Sequence, residues 1–238
     1  MLGWRAKVGV VLPTNNTILE PEFWGMLPDG VTSHAARIMA TGTDAESIET
    51  MERHSERAIG ELAAGGMDAI AYGCLSTSLV KGPGWSERFE SWVVEHTGIP
   101  ATTAAMATIE ALKAHGVRQV AIASPYPEKF GALLADFFPA YGIEVVANRS
   151  LGISDPMEVG KVPPGTVYRL AREVDTPKAD AVCIVATDLE TVSVIESLES
   201  DLGKPVVTTN QALVWKTLEL AGVDGALSHF GSLFGIRS

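Results

Sequence analysis

Asp68-Ala-Ile-Ala-Tyr-Gly-Cys74 is a short apolar run that ends in small residues, and Asp180-Ala-Val-Cys-Ile-Val-Ala186 repeats it 112 residues later. The same offset carries Val8-Gly-Val-Val-Leu-Pro13 onto Val120-Ala-Ile-Ala-Ser-Pro125. After a shift to 106, Gly98-Ile-Pro-Ala-Thr-Thr103 matches Lys204-Pro-Val-Val-Thr-Thr209, and Ala114-His-Gly-Val117 matches Leu220-Ala-Gly-Val223. The pattern is that of a doubled chain, with a twofold-related pair of half-sites facing each other. One half-site carries Cys74; the matching position in the other is Ala186.

Working outward from these runs, Val8–Leu12, Ser33–Ile38, Ala69–Tyr72 and Ala101–Thr103 read as strands of a first half. Val120–Ala123, Glu144–Ala147, Ala181–Val185 and Val206–Thr208 read as strands of a second. Apolar residues recur at helical spacing over Ala45–Ala64, Trp85–Glu95, Met106–Ala114, Glu128–Tyr141, Thr166–Val174, Leu189–Leu202 and Ala212–Leu220. Strands apolar on both faces and separated by helices predict an α/β fold with mostly parallel, four-stranded sheets covered on both sides. We divide the chain into residues 1–105 plus 211–238 for the first half and 106–210 for the second. In such folds a ligand sits beyond the carboxyl ends of the strands. Pro13, Cys74, Pro125 and Ala186 all fall there, so one cleft can collect them.

The 238 residues suffice for two ordinary domains. An apolar content of 46% with 20% charged residues describes a packed globule rather than a disordered or fibrous chain. A formal net charge of −11 argues against nucleic acid or an anionic membrane as a partner. A small carboxylate held by backbone N–H groups remains compatible with it. We find no apolar run of membrane-spanning length and no signal segment. Two cysteines fit a reducing cytoplasm better than a disulfide scaffold. No Cys/His pair has metal-ligand spacing, and His34, His54, His96, His115 and His229 share no spacing with cysteine or acid. Gly65-Gly66 is not a phosphate loop, and no G-x-G-x-x-G follows a strand.

Cys74 is followed by Leu75-Ser76-Thr77-Ser78, a small polar turn suited to opening a helix. A helix N-terminus favours a thiolate and holds carboxylates through its unpaired N–H groups. The competing reading is an inert, buried cysteine. Cys183 lies three residues before Ala186, so strand alternation turns it to the opposite face and into the core. Thr14-Asn15-Asn16-Thr17 can supply donors to a carboxylate or form an Asx turn that caps the next helix. Tyr126 occupies the equivalent place after Ser124-Pro125, as a phenol donor or a plain loop aromatic. Thr187 and Asp188 follow Ala186 as Leu75 and Ser76 follow Cys74. Their N–H groups can complete an anion cradle, with Asp188 alternatively an N-cap.

The ordered motifs Val-Leu-Pro13-Thr-Asn-Asn16-Thr17, Tyr-Gly-Cys74-Leu-Ser-Thr-Ser, Ala-Ser-Pro125-Tyr126 and Ala186-Thr-Asp-Leu-Glu-Thr resemble the aspartate/glutamate racemase superfamily. Within it they are most similar to the branch of maleate cis-trans isomerases and arylmalonate decarboxylases. The likeness extends to Arg149-Ser-Leu-Gly-Ile153 and Pro205-Val-Val-Thr-Thr-Asn210. It implies two similar Rossmann-like domains, no cofactor, no metal, a homodimer or higher homo-oligomer, and an active site at the domain interface with one cysteine from each half. In the isomerases the first cysteine, here Cys74, adds as thiolate to the substrate double bond. The second, at Ala186, assists as acid or base.

The resemblance places Asn16 and Tyr126 on the substrate carboxylates; the reading of the strand ends adds Pro13 and the backbone N–H groups around Leu75, Ser76, Thr187 and Asp188 to the substrate site. Asparagine stands in the isomerases where this chain has Pro156. Decarboxylases of the branch keep only the second cysteine, the reverse of this chain, and racemases use both. The pattern therefore implies an isomerase of a small (di)carboxylic acid. A racemase or decarboxylase of a substituted acid or hydantoin derivative, and a silent carboxylate binder, are the alternatives. Ala186 stands either where a cysteine was replaced or in a natural member that uses Cys74 alone or with Asp188 as proton carrier.

Overall fold

The computed structural model describes residues 1–40, 42, 45–223 and 229–236. The chain runs β1 (Ala6–Pro13), α1 (Leu19–Gly25), β2 (Val31–Ile38), α2 (Ala45–Ala64), β3 (Ala69–Tyr72), α3 (Leu75–Lys81), α4 (Trp85–Thr97) and β4 (Ala101–Thr103). It continues with α5 (Ala104–Ala114), β5 (Gln119–Ser124), α6 (Glu128–Ala140), β6 (Glu144–Ser150), α7 (Pro156–Val159), α8 (Pro164–Val174) and β7 (Ala181–Ile184). It then runs through α9 (Ile195–Leu202), β8 (Val206–Thr208) and α10 (Thr209–Leu220), with a 3-10 turn at Ser232–Gly235 after them. Of the tail grouped with the first half, residues 224–228 and 237–238 lie outside the described residues. Among the described residues no helix is long and apolar enough to cross a membrane.

The strands form two four-stranded parallel sheets, ordered β2-β1-β3-β4 and β6-β5-β7-β8. The repeat is visible in the register. Val8 pairs with Ala69 and Val11 with Tyr72 in the first sheet; Val120 pairs with Ala181 and Ala123 with Ile184 in the second. Both partners of each pair move by the 112 residues read from the sequence. At the last strand the reading needs correction. Ile70 and Tyr72 face Ala101 and Thr103, whereas Val182 and Ile184 face Val206 and Thr208, an offset of 105 rather than 106. Thr103 caps α5 and Thr208, not Thr209, caps α10. The missing residue is recovered inside the helix, because α10 has 12 residues and α5 has 11. Sequence matching aligned the helix ends and the paired threonines; the hydrogen-bond ladder aligns the strands.

Period-2 alternation sorts each inner strand between two apolar layers. Val8, Val10, Ala69, Ala71, Val120, Ile122, Ala181 and Cys183 enter one core that is shared by both sheets and packed by α1, α5, α6 and α10. Ile70, Tyr72 and Cys74 turn the other way, onto α2 and α4. Val182, Ile184 and Ala186 turn onto α8 and α9. Cys74 and Ala186 therefore occupy equivalent positions with equivalent parity. Cys183 is fully buried in the shared core, and burial pushes its thiol far up from its ordinary value.

Two local departures bear on function. Helix α1, foreseen only as the helix that a turn at Thr14–Thr17 would cap, is short, and its apolar signal is little more than Leu19 and Phe23 four residues apart. Glu20 and Glu22 in its first turn complement the helix dipole. The helix expected over Leu189–Leu202 begins only at Ile195, behind a 3-10 turn at Val192–Val194. There Glu22 of α1 takes the N–H groups of Thr191 and Val192 at 2.6 and 2.8 Å, so this stretch is held by a carboxylate from a distant element.

Candidate active site

A cavity of about 370 Å³ opens at the carboxyl ends of β1, β3, β5 and β7. Pro13 and Asn16 follow β1, Cys74, Leu75 and Ser76 follow β3, Tyr126 follows β5, and Thr187 and Asp188 follow β7; all line it. Ala186 does not. It is fully buried in the layer beneath, and its methyl stops short of the cavity wall. Cys74, also nearly enclosed at 3% exposure, reaches that wall. Pro125 is buried outside the lining and accepts a bond from the Ile153 N–H at 2.9 Å.

Cys74 sits with extended backbone at the N-cap position of α3. Gly73 before it has no room for a side chain, because a Cβ there would strike Leu19 and the Val11 carbonyl. The strand end can therefore lie directly against α1. Thr77 donates its hydroxyl to the Cys74 sulfur at 3.2 Å, and the Ser76 hydroxyl lies 3.3 Å from it. With its proton committed to sulfur, Thr77 accepts from the Tyr72 hydroxyl at 3.3 Å. Burial raises Tyr72 above its ordinary value, with the nearby sulfur adding to the effect, so this phenol stays a donor.

Asn16 realises the capping alternative and keeps a donor besides. Its Oδ1 accepts from the N–H groups of Ile18 and Leu19 at 3.1 and 3.0 Å, starting α1. Its Nδ2 donates to Thr187 Oγ1 at 3.1 Å, joining the β1 loop to the β7 loop. An amide nitrogen carries two hydrogens, so one remains for a guest. Arg37 holds this loop from behind through the Asn16 carbonyl at 2.8 Å, and its charge is met by Glu20 at 2.6 Å.

Asp188 is not an N-cap, since no helix starts beside it. Its Oδ1 accepts from the Tyr126 hydroxyl at 2.7 Å. Burial raises the Asp188 carboxyl to about 6, against the opposing pull of the Tyr126 bond and its own N–H. It is thus largely a carboxylate above neutral pH and takes a proton as the pH falls through about 6. Burial, and then the adjacent Asp188 charge, raise Tyr126 above its ordinary value, so the phenol remains protonated. On this side of the cavity the Tyr126 hydroxyl is committed to a carboxylate of the protein.

Sequence reasoning missed Lys129, the one lysine or arginine among the lining residues, and Asp155, whose side chain caps α7 through the Met157 N–H at 2.9 Å. Lys129 carried no signal beyond its place in the first turn of α6. Among the described residues, no three His, Cys, Asp or Glu side chains gather as a metal site.

The family model for arylmalonate decarboxylase matches residues 8–234. A maleate isomerase of Geobacillus stearothermophilus is 27% identical over 241 residues, covering 95% of this chain and 96% of its own length. An arylmalonate decarboxylase of Bordetella bronchiseptica is 30% identical over 191 residues, covering 79% of this chain and 78% of its own. Among solved structures, a Nocardia farcinica maleate cis-trans isomerase with one cysteine changed to serine superposes with a TM-score of 0.91. It is 27% identical, with 98% of this chain and 99% of that one covered, and it carries a covalently bound succinylcysteine intermediate. The chain belongs to the arylmalonate decarboxylase family, in the branch that maleate isomerases share.

Proposed function

We propose that this protein is a cofactor-independent isomerase of a small unsaturated carboxylic acid, with Cys74 as its nucleophile. The observation that carries the reading is a thiol at the wall of a cavity of about 370 Å³, met by two hydroxyls, in a chain whose relatives include maleate isomerases. The Cys74 thiolate adds to one alkene carbon, forming the C–S bond while the π pair moves onto the neighbouring carbonyl carbon's oxygen as an enediolate. The former double bond is now single and rotates. The pair then returns, the C–S bond breaks, and the trans acid leaves with the sulfur as thiolate again. Atoms and electrons balance without an external oxidant or reductant.

The spare N–H of Asn16 and the start of α3 at Leu75 and Ser76 are the donors for one carboxylate, with Pro13 shaping that wall. Thr77 and Ser76 bear the charge on sulfur when it departs. Stabilising charge that appears only during the reaction is what accelerates it. Tyr126, Thr187 and Asp188 form the opposite wall. The setting we assign is a homodimer in a reducing cytoplasm, in line with the family likeness and the two unpaired thiols.

Incubation with cis-butenedioate (maleate), followed by peptide mass spectrometry, is expected to find one substrate mass on Cys74 and trans product in solution. Reversible binding of maleate and of its monoamide, with neither added mass on Cys74 nor trans product from either compound, removes the isomerase reading. The Ala186 position gives a second test. A cysteine there adds one heavy atom beyond the present methyl, in the residue that matches Cys74 in the other half. Ala186→Cys is expected to raise turnover by about 10²–10⁴-fold, the usual contribution of a positioned acid or base. Unchanged turnover in a folded variant counts against an acid/base seat at this position.

A further inference from the structure

We propose that Asp188, fixed by Tyr126, selects a substrate whose far end donates a hydrogen bond, namely the half-amide of a cis-enedioic acid rather than the diacid. The inference rests on the isomerase reading above and narrows its substrate.

The two walls of the cavity are chemically unlike. On the Cys74 side, Asn16 keeps one amide hydrogen beyond the one given to Thr187, which suits a carboxylate. On the other side a carboxylate is already seated. Asp188 accepts from the Tyr126 hydroxyl at 2.7 Å, and Thr187 Oγ1 accepts from Asn16 Nδ2 at 3.1 Å. The phenol that would hold a second substrate carboxylate is thus engaged by a carboxylate of the protein.

What Asp188 leaves towards the cavity is accepting oxygen. An ionised carboxylate only accepts, so its partner must bring N–H or O–H. Pro156, in the same lining, has no N–H to give. Among the ionisable lining groups, Asp155 adds negative charge and Lys129 is the lone ammonium. A diacid would set its second carboxylate against this wall; a half-amide sets its one carboxylate against Asn16 and turns its NH₂ to Asp188. A site built to pair a buried polar group rejects the analogue that leaves it unpaired far more strongly than a site that only fits shape.

The test compares kcat/KM for maleate and for its monoamide, cis-4-amino-4-oxobut-2-enoate, at pH 8, where Asp188 is ionised. Trans product is followed by proton NMR. The intact protein is expected to favour the half-amide by at least about tenfold. Asp188→Asn supplies an amide that can donate to a carboxylate, and it should lower that ratio by at least about tenfold. The wild-type ratio stands as a test even if the variant fails to fold. A wild-type preference for the diacid overturns the inference and leaves the isomerase reading standing. An unchanged ratio in a folded Asp188→Asn variant overturns the role given to Asp188. If neither compound turns over nor adds mass to Cys74, the isomerase reading fails and takes this inference with it.

Discussion

Cys74→Ala is expected to abolish cis–trans conversion, with a loss on the order of 10⁴-fold or more, the scale found when a covalent nucleophile is deleted. No other group described in the cavity can replace it. Asp188 and Asp155 are oxygen bases poorly suited to adding to an alkene and leaving again, and Cys183 lies in the shared core with no exposed surface. Cys74→Ser separates sulfur from geometry. It keeps an atom in reach of Thr77 and Ser76 but presents an alcohol, which is both a weak nucleophile and a weak leaving group at neutral pH. Both variants should fold, because the change removes or exchanges one atom at a cavity wall rather than deep in a layer. Product formed by NMR and the melting temperature, measured together, check this. Retention of a tenth of the wild-type rate in Cys74→Ala would refute the mechanism.

Glu22→Ala is expected to be the most destabilising polar substitution near the site. The Glu22 carboxylate, carried by α1, accepts from Thr191 N–H at 2.6 Å, Val192 N–H at 2.8 Å, Asn210 Nδ2 at 2.6 Å and Thr191 Oγ1 at 3.3 Å. Thr191 and Asn210 have no exposed surface, so their donors have no water to turn to. An unsatisfied buried donor costs about 1–3 kcal/mol, and the loss here should total about 3 kcal/mol or more. For a chain of this size a melting temperature falls by about 2–4 °C per kcal/mol, so a drop of roughly 6–12 °C is the expected readout. Burial raises the Glu22 carboxyl against the pull of the bonds from Val192, Asn210 and the Thr191 N–H, so part of its charge penalty is relieved in the alanine variant. Glu22→Gln keeps one accepting oxygen and should lose less.

The same substitution should lower turnover beyond its effect on folding. Asn210 also donates to the Thr187 carbonyl at 3.3 Å, so the Glu22 network reaches the loop that carries Thr187 and Asp188. Rate measurements well below the melting temperature separate the two effects. A Glu22→Ala protein that melts within 2 °C of wild type, with unchanged turnover, would show that the latch contributes nothing.

Much of this molecule was legible in one dimension. The eight strands were found with edges off by a few residues, because apolar runs bounded by glycine, proline and acids carry both the period and its ends. The exclusion of Cys183 from the site followed from counting three positions along a strand. Cys74 was singled out by the repeat, which displayed it against Ala186. Other parts were misread for identifiable reasons. The helix expected from Leu189 onward has good apolar spacing, but its first N–H groups go to Glu22, some 170 residues away. The offset of 106 followed the paired threonines, whereas the ladder at β4 and β8 obeys 105.

Hydrophobic periodicity determined the layers and the pair of strand ends at Cys74 and Ala186, because burial of a face depends only on local spacing and chain direction. Which polar atoms meet was decided in three dimensions. Asn16 spends its oxygen on α1 and one hydrogen on Thr187, Tyr126 spends its proton on Asp188, and Ala186 ends beneath the cavity instead of in it. Those outcomes hang on loop dihedrals and on the convergence of four strand ends distant in sequence. A carboxylate and a phenol each have several partners open to them, and only the closed fold decides which they take.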